Sequence, residues 1–114
     1  MTSIAEYPHL TQNERAAITA LKKEIAQRYA LQWIKLIGSK ARGDSDSESD
    51  LDVVIVLTDL SWPIEKSIYE LCYALSIQYD VLISPVLFSS QEISDRYIQI
   101  TPFYKVVQQE GILV

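Results

Sequence analysis

The chain has 114 residues, 48% of them apolar, a formal net charge of −5 and an isoelectric point near 4.7. A chain of this size suits one domain with a real core and leaves little area for a second substrate domain. Its acidic balance argues against a nonspecific nucleic-acid binder, which carries a basic face, but not against a nucleotide held through metal ions, which reverse the local charge logic.

Residues 1–10 read as a loose lead-in. Thr11 and Glu14 match a capping box, and Ala17, Ile18, Leu21, Ile25 and Tyr29 follow at helical spacing, so a helix is expected over about 12–29. Residues 31–37, LQWIKLI, predict a strand stopped by Gly38. The polar run 39–50 reads as a loop with room for one helical turn. Residues 51–57, LDVVIVL, predict a second strand, apolar enough to be buried on both faces. Pro63 opens a helix whose stripe of Ile64, Ile68, Leu71, Cys72 and Leu75 reaches about residue 78. A third strand is expected from Tyr79 to Phe88, and a short helix over about 91–97 capped by Ser89 or Ser90. A last helix runs from Pro102 to Gly111, and Ile112 to Val114 can add a closing strand. This order fits an α/β or α+β layer of helices on a small sheet.

Cys72 is the single cysteine, which rules out an intramolecular disulfide; its apolar neighbours predict a buried thiol. The first ten residues lack the basic and apolar regions of a leader, and no stretch approaches the ~18 apolar residues of a membrane helix, so a soluble, cytoplasmic chain is expected. His9 is the single histidine, which disfavours His-based triads and most zinc schemes. Tyr69, Tyr73 and Tyr79 read as core-edge packing, Trp33 and Trp62 as core or partner contacts, and Lys22, Lys23 and Arg28 as a solvated face.

The segment that carries chemistry is GSKARGDSDSESDLD, residues 38–52. Residues i and i+2 of a strand share a face, so Asp50 and Asp52 project side by side. Two such carboxylates repel, and Asp52 lies in an otherwise apolar strand; a hard divalent cation relieves both costs. Gly38 lets backbone approach a ligand, and a helical turn starting at Ser39 would offer N–H groups and a hydroxyl to a phosphate. Lys40 and Arg42 are candidates to offset triphosphate charge. A calcium loop fits poorly: Asp44, Asp46 and Glu48 are followed by Ser49 where glycine is needed, and Ile55 stands where the closing Glu should be.

A Gly-Ser, ten residues and Asp-x-Asp, here Gly38-Ser39 to Asp50-Leu51-Asp52, resemble the signature of the polymerase-β nucleotidyltransferase superfamily. The GSKARGD form, the short chain, YDVLISPVLFS and TPFYKVVQQEGILV resemble the minimal nucleotidyltransferases of MNT type, antitoxins of HEPN/MNT pairs, over about residues 10–114. The resemblance implies an α+β, polymerase-β-like fold, one domain over 1–114 with a small mixed sheet flanked by helices. It also implies two Mg²⁺ ions on Asp50 and Asp52, and a third carboxylate for which Asp80 is the best candidate, ahead of Asp59 and Asp95. Gly38, Ser39, Lys40 and Arg42 would then bind the nucleotide. The implied reaction moves AMP from ATP to a tyrosine hydroxyl of a HEPN ribonuclease toxin, with no direct contact to nucleic acid or membrane. The alternatives are an antitoxin acting by binding alone and a transferase acting on a small molecule.

Overall fold

The computed structural model describes residues 4, 7–44 and 50–114. Helix α1 (Gln12–Arg28) starts at the expected capping box: Thr11 accepts from the Glu14 N–H, and the Glu14 carboxylate accepts from the Thr11 N–H. Strand β1 (Leu31–Ile37) leads directly into a five-residue helix α2 (Gly38–Arg42), closed by Gly43 in the left-handed region. Strand β2 (Leu51–Leu57) and helix α3 (Trp62–Tyr79, with a proline in its first turn) follow. Then come β3 (Ile83–Ser89), the one-turn helices α4 (Ser90–Ile93) and α5 (Arg96–Gln99), α6 (Pro102–Glu110) and β4 (Ile112–Leu113).

The sheet order is β3-β2-β1-β4. β1 pairs antiparallel with β2 and β4, whereas β2 and β3 run parallel. This is the expected α+β layer with a mixed sheet. β2 is interior, which explains why every residue of it except Asp52 is apolar. Leu51, Val53, Ile55 and Leu57 face the main core with Ala17, Ile18, Leu21 and Ile25 of α1 and Ile68, Cys72 and Leu75 of α3. Val54 and Val56 face a smaller core with Ile37, Trp33, Phe88 and Val107 of α6.

Four expectations are corrected. The lead-in is not loose throughout: Tyr7 and Leu10 are buried, and the Tyr7 hydroxyl donates to the Ala41 carbonyl. The third strand begins at Ile83, four residues later than expected, because α3 continues to Tyr79 and Asp80 ends it with a positive φ of 53°. The single helix expected over 91–97 is two separate turns, since Ser94 and Asp95 fall between them and the Asp95 carboxylate caps the second. Tyr73 is 71% exposed, so it is not core-edge packing. Asp46 and Glu48, weighed above as calcium ligands, lie outside the described residues.

Candidate active site

The site is built where β1 ends and β2 begins. In the antiparallel register Ile37 lies opposite Asp52, so the residue after Ile37 turns the chain directly beside the Asp52 carboxylate. That residue is Gly38, with φ +76°. A Cβ there would stand 2.7 Å from Asp52 Oδ2, so both the conformation and the space require glycine. Ser39 follows, half-buried at the start of α2.

Asp52 shares its sheet face with Val54 and Val56 and is partly buried. Desolvation first, and the neighbouring Asp50 charge second, raise its carboxyl above the ordinary value. On the other side of β2, Ser84 of β3 is the register partner of Asp52, and its hydroxyl donates to Asp50 Oδ2 at 3.1 Å. Asp50, Asp52 and Ser84 thus occupy one corner, closed on its β1 side by the side-chain-free Gly38.

The remaining sequence candidates lie elsewhere. Lys40 is buried and pairs with Glu14 at 2.6 Å, both side chains being nearly solvent-free, so it braces α2 against the start of α1 rather than facing a phosphate. Burial would raise the Glu14 carboxyl, but the hydrogen bond and charge of Lys40 and the bonds with Thr11 outweigh it and hold the pKa low. Arg42 is exposed and contacts Asp44 at 3.1 Å and Glu110 of α6 at 3.7 Å. Asp80 is exposed at the C-terminus of α3, ahead of β3. Among the described residues no group of three acidic, histidine or cysteine side chains is gathered that could hold a metal, so Asp80 does not join Asp50 and Asp52. The helix running on to Tyr79 is the reason: the register gives the place beside Asp52 to Ser84, which pattern reading overlooked. Its signal was the strand ISPVLFS once that strand's start is known.

His9 stacks edge-on with Tyr7 at 5.2 Å and packs over Gly43, where a Cβ would stand 2.7 Å from its ring. It helps close the back of α2. Cys72 is buried, and burial pushes its thiol up to about 12, which makes it inert.

The residues fit a divalent cation: two oxygen donors share one face, and one of them resists ionisation in the absence of positive charge. A paired-carboxylate corner beside a side-chain-free turn defines a class of site that takes an anionic ligand through a cation. The comparisons make the class specific. The family model described as "Nucleotidyltransferase domain" matches residues 18–108, and the chain belongs to that family.

Two provisionally named protein adenylyltransferases of Methanocaldococcus jannaschii are similar to it. One is 39% identical over 74 residues, covering 62% of this chain and 75% of the relative. The other is 33% identical over 101 residues, covering 87% and 95%. Among solved structures, a toxin–antitoxin with AMP-PNP superposes with a TM-score of 0.59 at 21% identity, covering 90% of this chain and 72% of that one. The MntA-HpeT toxin–antitoxin carrying Y104A superposes with a TM-score of 0.57 at 21% identity, covering 92% and 72%. A minimal nucleotidyltransferase superposes with a TM-score of 0.56 at 23% identity, covering 88% and 91%. These likenesses bear out the mixed-sheet fold. No described helix is long and apolar enough to cross a membrane.

Proposed function

We propose that the chain is an adenylyltransferase that moves AMP from ATP to a hydroxyl of a partner toxin and silences it. The observation that carries this reading is the contact geometry of Gly38 with Asp52, with Asp50 alongside. Family membership and the names of the two archaeal relatives support the chemistry. The partner is supported by structural neighbours that are toxin–antitoxin complexes. The sequence resemblance adds that this partner is a HEPN ribonuclease and the acceptor a tyrosine.

In this reading Asp50 and Asp52 would hold Mg²⁺ for the triphosphate. The Ser39 hydroxyl and the backbone at Gly38 hold the terminal phosphates, and Arg42, at the exposed rim, exchanges Asp44 for phosphate charge. Magnesium, when bound there, would supply charge neutralisation at the triphosphate. The acceptor oxygen bonds to the α-phosphorus, the bond to the bridging oxygen of pyrophosphate breaks in line, and the acceptor proton is released to solvent. Asp80, expected above as the third carboxylate, has no part in this scheme. Lys40 serves by holding α2 in place.

The test is transfer of label from α-labelled ATP to the co-expressed partner toxin, read by gel and by intact mass. The expected result is an AMP-sized increment that disappears in the Asp50→Asn, Asp52→Asn double variant. Label transfer surviving in that variant would overturn the assignment.

A further inference from the structure

The strands flanking β2 determine what can stand beside Asp52. β1 offers Ile37, an apolar side chain, and β3 offers Ser84, a neutral hydroxyl. Neither supplies charge. Among the described residues the one other carboxylate close to Asp52 is Asp50, and one of its oxygens already accepts from Ser84 Oγ at 3.1 Å. Asp80 stands apart at the exposed end of α3, and no third acidic side chain joins the pair among the described residues.

Two divalent ions ~3.5–4 Å apart repel strongly and need bridging anionic oxygens to stay together. A triphosphate satisfies the ion it chelates. Among the described residues, a second ion would share the same two carboxylates with the first and would meet a hydroxyl donor, not a negative charge, on the β3 side. A Ser hydroxyl that donates to a carboxylate instead orients that carboxylate, the usual task of a group standing behind a metal ligand.

We propose that Ser84 is a positioning residue for Asp50, and that the chain consequently binds one divalent ion tightly with nucleotide, not two. The inference rests on the nucleotide-binding reading of the same corner. It deepens that reading by making any second ion a late arrival that needs the acceptor. A carboxylate at residue 84 would convert the corner into a tight two-ion site.

The test is titration of the intact protein with Mn²⁺, followed by electron paramagnetic resonance of free Mn²⁺. It is run with a non-hydrolysable ATP analogue and a control of analogue alone. The wild type is expected to hold one tight ion per chain. Ser84→Ala should hold one ion about tenfold more weakly, because Asp50 loses its orienting bond. Ser84→Asp should hold a second ion at least about tenfold more tightly than the wild type does. Melting temperatures of both variants check that they fold. Two tight ions in the wild type overturn the inference while leaving the nucleotide-binding reading intact, and no ion with analogue in the wild type overturns both. Unchanged affinity in Ser84→Ala refutes the positioning role. The wild-type count decides the stoichiometry even if Ser84→Asp fails to fold.

Discussion

Asp52 carries a conflict between its burial and its charge. It is partly buried beside Asp50, and desolvation followed by that neighbouring charge raises its pKa. A raised carboxyl pKa means the folded state favours the protonated form. The stability Asp52 offers is therefore complete below the ordinary value of 3.8 and is lost as pH rises through the raised folded value. Without divalent ions, Asp52→Asn should melt above the wild type at pH 7, by on the order of 1 kcal/mol or a few degrees. That advantage should shrink as pH is lowered through the window, and magnesium with ATP should reverse it by stabilising only the wild type. Thermal melts at stepped pH check this. Gly38 makes a complementary point: Gly38→Ala brings a methyl carbon to 2.7 Å from Asp52 Oδ2 at a φ of +76°. The expected cost is about 1–3 kcal/mol in urea unfolding, with loss of nucleotide binding.

At the scale of elements, the important fact is how α2 is held. A five-residue helix has little stability of its own. Its buried side is held by Lys40 paired with Glu14, the Tyr7 hydroxyl on the Ala41 carbonyl, and His9 over Gly43, while Arg42 at its exposed end reaches Glu110 of α6. The buried contacts all come from residues at or just before the start of α1. Glu14→Gln removes a carboxylate from a buried pair and should cost about 3–5 kcal/mol in urea unfolding. Its effect should depend on pH. The Glu14 pKa is lowered, so the pair's stabilisation is present above the ordinary value of 4.5 and lost as pH falls through the folded value. Wild type and Glu14→Gln should therefore converge in acid. Elements with a period or a cap in the sequence were legible: α1 from its capping box, β1 and β2 from their apolar runs, and α6 from Pro102 and Gly111. The start of β3 was not. Tyr79, Asp80 and Val81 read equally well as strand, and only packing of α3 on the core decides that the helix keeps Tyr79.

For the whole molecule, the pattern of residues 38–52 located the corner, because Gly-Ser and Asp-x-Asp act through neighbouring strand ends that sequence spacing can reveal. The third side chain of the corner was hidden, because it depends on the parallel register of β2 with β3, set across the intervening helix α3. Lys40 was misread for a similar reason: its charge suggested phosphate, and its burial against Glu14 is a tertiary fact. The fold also leaves Tyr73, Ile77 and Leu82 exposed around the α3–β3 connection.

The central claim is that Asp50, Asp52 and the Gly38-Ser39 turn together bind ATP through a divalent ion. Calorimetric titration of ATP into the protein, with and without Mg²⁺, tests it most directly. The account predicts saturable binding with Mg²⁺, little without it, and none in the Asp50→Asn, Asp52→Asn variant. Equal binding with and without the ion, or binding that persists in that variant, would contradict it.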